Sequence, residues 1–450
     1  MEDVQYMQPL ILQSMPDSDT VKLANAAKLL MEYEKRPAKA DEFLDSQYSL
    51  SYKYGEERRI CQFIFLTVLR NKLLIDTILA VFLKKTPRPK LFAVLKCACA
   101  EIVSAHENKI AQTVHSWVEV SKKICSAGES KLANAVLRKF SQEYSQMNSN
   151  AKTLEDFALL YSHPLWLAKS WQAQFGFEKA VRIMRKNQEP SEVFLRVQNT
   201  PQAKGEFQKY SEFLCESGFE NFYAVKRGNF QNIKSFLDTP FAYIQDPATK
   251  FAPTLLNPQK SENILDLCAA PGGKSRMISD LVRQKNPDGF LSDTLLASVD
   301  LNSPRLEKLK QNLSKIDFLK TACIDCDIAS ENLQDKLEKS SLPTSFDAIL
   351  LDAPCSNTGV LRRRPDARYR IEPKDISNCK ALQIKILKNA LPLLKKGGRL
   401  VYSTCSIDKS ENEEAPQEAV KSLGGFKIEH MQTILPDVCD GAGIALIKRA

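Results

Sequence analysis

Ile264-Leu265-Asp266-Leu267-Cys268-Ala269-Ala270-Pro271-Gly272-Gly273-Lys274-Ser275 decides the fold. It opens with a short apolar run of strand length, and a helical pattern follows through Leu281. The glycine pair between them lets the backbone approach a ligand and aims helix N–H groups at it. Its spacing fits neither G-x-G-x-x-G nor a P-loop. The same strand-then-break unit recurs downstream. Leu295–Val299 ends in Asp300, placed to accept both hydroxyls of a ribose. Thr321–Ile324 ends in Asp325, placed to accept from an adenine amino group, with Asp327 as a competitor two residues on. Strand and helix patterns alternate over residues 251–450, the signature of a doubly wound α/β sheet.

Two more strand ends carry cysteines. Phe346–Leu351 runs into Asp352-Ala353-Pro354-Cys355, and Arg399–Tyr402 runs into Ser403-Thr404-Cys405, then the acidic run Glu411-Asn412-Glu413-Glu414. An open α/β sheet places nucleophiles at such exits. Two cysteines there, one preceded by an aspartate, point to covalent chemistry on an electron-poor ring. By residue type alone a strand cysteine is more often a small core residue; the Thr-Cys-Ser and Asp-Ala-Pro-Cys-Ser contexts reverse that for Cys405 and Cys355.

The segments DLCAAPGGKS (266–275), LLDAPCSNTGVLRRRPD (350–366) and VYSTCSIDKSENE (401–413) resemble the S-adenosyl-L-methionine (AdoMet)-dependent RNA cytosine-5 methyltransferases, the NOL1/NOP2/Sun family. Gly55-Glu56-Glu57-Arg58-Arg59, Lys131–Arg138 and His163–Leu167 narrow the resemblance to the bacterial RsmB (Sun/Fmu) branch, which methylates 16S ribosomal RNA. The resemblance covers about residues 45–450 and implies a multidomain chain. Its parts are an all-α NusB-like RNA-binding domain over 45–144, a small α+β module over 153–250 and a C-terminal Rossmann-like AdoMet-dependent methyltransferase sheet over 251–450. Residues 1–44 carry a helix pattern from Thr20 to Tyr33 and no assigned role.

The resemblance also implies roles for residues. Cys405 is the nucleophile, Cys355 serves product release, and Asp352 hydrogen-bonds the ring at N3 and N4. The cofactor is AdoMet, expected on Cys268, Ala269, Ala270, Pro271, Gly272, Gly273, Lys274, Asp300, Asp325 and Asp352. The DNA cytosine-5 enzymes use the cysteine after the proline instead, which keeps Cys355 as the alternative nucleophile. One departure stands out: Asp440-Gly441-Ala442-Gly443-Ile444 lacks the two aromatics the family carries before its last strand.

Several features keep a plainer reading. Asp266 is expected to order the glycine turn rather than to touch a ligand. Cys323 and Cys326 form C-x-x-C without a second pair, and the four histidines are scattered, so no metal is expected. Arg362-Arg363-Arg364-Pro365-Asp366-Ala367-Arg368-Tyr369-Arg370 reads by default as a charged loop. Its place after the catalytic segment makes Arg362, Arg363, Arg364, Arg368 and Tyr369 candidate RNA contacts. Ser145–Lys152, rich in Ser and Asn, is expected to be a linker.

Composition is consistent with these readings. A chain of 450 residues has room for roughly three domains of ~150 residues. Apolar residues at 43% and charged residues at 26% describe a globular protein, and no apolar run approaches the ~20 residues of a membrane span. MEDVQYMQPL lacks the basic start of a signal peptide, and twelve scattered cysteines fit free thiols in a reducing cytoplasm. Of the net charge of +9, residues 51–100 hold ten Lys/Arg against three Asp/Glu, a patch suited to a phosphate backbone. The expected partner is 16S rRNA or a small-subunit precursor, bound by a monomer. A methyltransferase for another RNA such as tRNA, a DNA cytosine-5 enzyme and a non-catalytic assembly factor are the competing readings.

Overall fold

The computed structural model describes residues 18–50, 55–287, 289–301 and 303–450. The N-terminal decapeptide and residues 51–54 of the basic stretch therefore lie outside the described residues. The chain divides into two compact units, one of residues 1–189 with 361–370, the other of residues 190–360 with 371–450.

The first unit is helical. Its elements are α1 (Ser18–Lys35), α2 (Ala40–Leu50), α3 (Gly55–Arg70), α4 (Lys72–Phe82), α5 (Pro89–Ser104), α6 (Ile110–Ile124), α7 (Ala127–Asn150), α8 (Leu154–Leu160), α9 (Leu165–Phe175) and α10 (Phe177–Lys186). Helix α5 is the hub. It starts on Pro89, whose missing N–H costs nothing in a first turn, and buries nearly every side chain from Leu91 to Ile102. Trp117 of α6 and Phe140 of α7 are fully buried in the same core.

Two sequence expectations are corrected here. The bundle does not begin at residue 45, because α1 seats Leu23, Ala26, Leu29 and Leu30 in the core that also holds Phe65 and Val94. Ser145–Lys152 is not a linker through most of its length. The capping box between Ser126 and Glu129 starts α7, and Tyr144 and Met147 pack on the core, so the helix runs on to Asn150. Helices α8–α10 also group with this unit, so the expected α+β module of 153–250 spans the division at Pro190.

The second unit holds two sheets. The small one is antiparallel, in the order β2-β3-β1-β4, built from β1 (Phe194–Val197), β2 (Leu214–Glu216), β3 (Phe222–Val225) and β4 (Ala242–Ile244). Buried Arg196 on β1 bonds Gln245 at 2.7 Å and pairs with Asp280, while Gln198 bonds Asp280 at 2.9 Å. Arg276 reaches the carbonyls of Pro240 and Ala242. The small sheet is thus keyed to the helix Gly273–Lys285 by charged hydrogen bonds, the strong kind.

The large sheet comprises β5 (Asn263–Leu267), β6 (Leu291–Asp300), β7 (Leu319–Asp325), β8 (Phe346–Asp352), β9 (Leu394–Thr404), β10 (Phe426–Ile434) and β11 (Ala442–Arg449). Its order is β10-β11-β9-β8-β5-β6-β7. Strands β7, β6, β5, β8 and β9 are parallel, and β11 and β10 join antiparallel. Central strands buried on both faces read as unbroken apolar runs, which is why Ile264–Leu267 and Ala348–Leu351 were legible. All the parallel strands deliver their C-terminal residues to one edge, where such sheets bind ligands. No described helix is long and apolar enough to cross a membrane.

Candidate active site

The glycine turn is built from positions that demand it. Gly272 sits at φ 102°, and a Cβ there would meet Leu309 Cδ1 at 3.0 Å. The turn is tied down by its neighbours: Asn312 Nδ2 donates to the Pro271 carbonyl at 2.8 Å, and Arg305 donates to the Ala270 carbonyl. Ala269 and Ala270 pack against Leu306, Leu309 and Leu313. Ser275, in the first turn of the helix, donates to Asp266 at 2.5 Å and accepts from Ser298 at 3.2 Å. Burial pushes the Asp266 carboxyl up to about 7, against the Ser275 bond that lowers it. Asp266 therefore acts on the turn through Ser275.

Asp300 ends β6 beside that turn. Its Oδ2 accepts from the Ala270 N–H at 2.7 Å and its Oδ1 from the Leu301 N–H at 2.8 Å. A carboxylate offers about four acceptor positions, so two remain for a ligand's hydroxyls. Asp325 lies level with Asp300 across β6 and β7. Its competitor Asp327 is committed to its own turn, accepting from the Ala329 N–H at 2.9 Å and from Ser330. Cys268 is half-buried with φ 58°, and its thiol packs with the apolar sheet cluster. A glycine turn whose backbone is packed closely by its neighbours, with a carboxylate at each of two strand ends, fits a nucleoside-bearing methyl donor.

Asp352 ends β8 and is oriented from two sides. Lys274 Nζ pairs with Oδ2 at 2.6 Å, and Ser403 Oγ donates to Oδ1 at 2.9 Å. Burial works against the Lys274 charge, but the Asp352 carboxylate outweighs it, by charge and by hydrogen bond, and leaves the lysine above its ordinary value; the Cys405 sulfur adds to that rise. The lysine therefore stays a cation beside both groups.

The two cysteines meet. Cys355 Sγ lies 3.0 Å from Cys405 Sγ, and the Cys405 thiol reaches Asn357 Oδ1 at 3.1 Å. Both thiols are free. The hydrogen bond to Cys405, then burial, then the charges of Cys405 and Glu411 push the Cys355 thiol well above the ordinary range. The loops approach without room for side chains. Gly359 donates its N–H to the Cys405 carbonyl at 3.0 Å, and a Cβ on Gly359 would stand 2.5 Å from the Gly441 carbonyl oxygen. The cleft beside them, about 80 Å³, is lined by Lys274, Asp352, Cys405, Asp246, Asp440 and Gly441, among others. A groove of about 1150 Å³ on the helical unit, between α6 and α7, holds none of these groups.

The arginine segment needs correction. Arg368 is fully buried, and its guanidinium donates to the carbonyls of Arg70, Tyr161, Ser162, Asn187 and Leu361 at 3.1–3.4 Å. Arg362 is buried too, and the Tyr369 hydroxyl bonds Ser162 Oγ at 2.8 Å. Arg362 and Arg368 face the interior of the helical unit and are not placed to grip RNA. Arg363 and Tyr369 are half-buried and Arg364 exposed, the last 3.5 Å from Asp41, so these three of the five candidates reach solvent. The reason is electrostatic: α3, α8 and α10 end at Arg70, Tyr161 and Asn187, whose carbonyls have no partner within their own helix and attract a cation.

The sequence reading missed Asn357 and gave Glu411 no role. Their adjacency to the two cysteine motifs was the available signal. Among the described residues no group of three or more His, Cys, Asp or Glu could hold a metal ion.

A parallel sheet with a glycine turn after its first strand, carboxylates at the next two strand ends and a thiol pair at its edge defines a methyltransferase of the Rossmann-like class. Residues 253–439 match the family described as 16S rRNA methyltransferase RsmB/F, residues 22–142 the NusB family, and residues 163–222 the ferredoxin-like domain of RsmF/B-like methyltransferases. A probable ribosomal RNA small subunit methyltransferase B of Bacillus subtilis is 29% identical over 418 residues, 89% of this chain and 88% of that protein. Its Coxiella burnetii counterpart is 32% identical over 326 residues, 69% of each chain. A methyltransferase homolog protein from Pyrococcus horikoshii, 24% identical, shares the fold with a TM-score of 0.54 over 67% of this chain and 100% of its own. The chain belongs to the RsmB/F family of 16S rRNA methyltransferases.

Proposed function

We propose that the protein transfers a methyl group from AdoMet to C5 of a cytosine in 16S ribosomal RNA, through a covalent bond from Cys405 to C6. The observation that carries this is the pair of thiols 3.0 Å apart beside an aspartate fixed between Lys274 and Ser403.

C5 of cytosine is a poor nucleophile. Addition of a Cys405 thiolate at C6 forms the S–C6 bond and moves the ring's electron pair to C5. The Lys274 cation stabilises that thiolate, the reactive form of cysteine. Asp352 meets the ring at N3 and the N4 amino group as charge develops there. When bound, AdoMet supplies an electrophilic sulfonium methyl group; Gly272, Gly273 and the neighbouring backbone from Cys268 would hold it, with Asp300 on the ribose and Asp325 on the adenine. After transfer the C5 proton is lost and the Cys405 thiolate leaves, a stage in which Cys355 takes part. On this reading the protein works in the cytoplasm, where the small subunit is assembled.

The test is transfer of labelled methyl groups to 16S rRNA, to tRNA and to DNA, followed by digestion to nucleosides. Label in 5-methylcytidine from 16S rRNA is expected. Label in another nucleoside, or from another nucleic acid alone, overturns the reading.

Two predictions concern binding. Asp300→Ala removes a charged acceptor from the ribose site and should weaken AdoMet by about 1.5–3 kcal/mol, roughly ten- to a hundredfold. Calorimetry returning wild-type affinity would exclude Asp300 from the site. The RNA grip is assigned to the helical unit, where Lys84 and Lys85 are exposed between α4 and α5. Replacing both with Ala should reduce the slope of log affinity against log salt by about one unit for each phosphate the two lysines neutralise. An unchanged slope would show that they only face solvent.

A further inference from the structure

The chain after Cys405 enters a single wide turn, Ser410–Glu414, of the π type that often marks functional sites. At its start Glu411 is fully buried. Its carboxylate takes a backbone N–H from Ser356 at 2.9 Å, the Ser356 and Ser406 hydroxyls, and the Gln383 amide at 2.9 Å. Ser356 follows Cys355 and Ser406 follows Cys405, so one carboxylate bonds the residue after each thiol. The same Gln383 amide also holds the Pro354 carbonyl at 2.9 Å, on the other side of Cys355. Thr358 closes the network, bonding Ser406 Oγ at 2.9 Å and accepting from the Ile407 N–H at 3.1 Å. Four donors converge on Glu411 and no acceptor does, an arrangement that suits an ionised carboxylate. Asn412, next in the turn, bonds Thr404 Oγ1 at 2.6 Å and the Ser406 carbonyl at 2.9 Å, which holds the Cys405 loop from its other side.

We propose that Glu411 is a positioning residue for methyl transfer: its carboxylate ties the Cys355 loop to the Cys405 loop and so fixes the distance between the two sulfurs. The proposal rests on the reading that both cysteines act in one cycle. Without that tie the two loops keep their backbone contacts, the smaller hydroxyl network and the weaker bonds of the thiols to each other and to Asn357. A nucleophile displaced by about 1 Å loses on the order of a hundredfold in rate.

The experiment uses the full-length chain. Phenylarsine oxide bridges two thiols held within reach: the As=O bond is lost, two As–S bonds form, and the thiol protons leave with the oxygen as water. Peptide mass mapping of the Cys355–Cys405 bridge reports how well the pair is held, with neither RNA nor methyl donor present. Glu411→Ala should bridge about tenfold more slowly and transfer methyl groups about a hundredfold more slowly, with the KM for RNA within about threefold of wild type. Glu411→Gln keeps one acceptor oxygen, and its amide can donate to the rotatable serine hydroxyls; it should recover most of both losses. Should Glu411→Ala fail to fold, the Ser356→Ala, Ser406→Ala pair carries the same expectation. Wild-type bridging and transfer in a folded variant overturn the proposal, as does a loss confined to the KM for RNA. Failure of the cytosine reading would show in the wild-type nucleoside analysis and leave the bridging result standing.

Discussion

On the proposed mechanism, Cys405→Ala should abolish methyl transfer, and Cys355→Ala should leave the protein attached to its RNA. Removing the proposed nucleophile should take away the covalent route, a loss on the order of 10⁴-fold or more by analogy with nucleophile deletions elsewhere. Cys355 has a different place. Its thiol is pushed above the ordinary range and shares a hydrogen bond with the Cys405 sulfur at 3.0 Å. Deleting it removes a partner of the leaving sulfur without removing the attacking one, so addition and methylation proceed and release stalls. The measurement is a denaturing gel of protein expressed in cells, where Cys355→Ala should show a shifted, nuclease-sensitive band. The double variant should show none, because trapping requires prior attack. A band from Cys405→Ala, and none from Cys355→Ala, would exchange the roles and make Cys355 the nucleophile.

The candidate site could be read as a pattern because it is local. Each candidate ligand or catalytic group ends a strand within a few residues of an apolar run, and parallel pairing brings such ends to one edge whatever the intervening helices do. Asp300 and Asp325 are neighbours for that reason alone. The rest depends on partners remote in sequence. Glu411 sits in a run of acids that looks solvated, yet one turn of the wrong pitch carries it beneath both thiols. Strand β10 escaped notice because it is an edge strand, with Glu429 and His430 breaking its alternation and most of its side chains partly exposed. Ser145–Lys152 has loop composition, but Tyr144 and Met147 gain enough by packing to carry α7 through it.

The arginine segment shows the same limit most sharply, and its test has a large expected effect. Nothing near Arg368 in sequence foretells burial, since its partners lie at residues 70, 161, 162, 187 and 361. Three of those carbonyls end helices, whose last turns leave such groups without a partner in their own helix. A guanidinium supplies several donors in one rigid plane and spans them all; a lysine ammonium, a point charge, reaches fewer. Arg368→Met should therefore take a donor from each of these carbonyls and cost about 3–5 kcal/mol, the scale for breaking a buried charged network. Arg368→Lys should recover only part. Exposed Arg364→Ala, in the same segment, should stay within about 0.5 kcal/mol of wild type. Urea unfolding followed by the helical signal separates these outcomes. If instead Arg368→Met unfolds like wild type and weakens RNA binding, the guanidinium serves the substrate and is no interior staple.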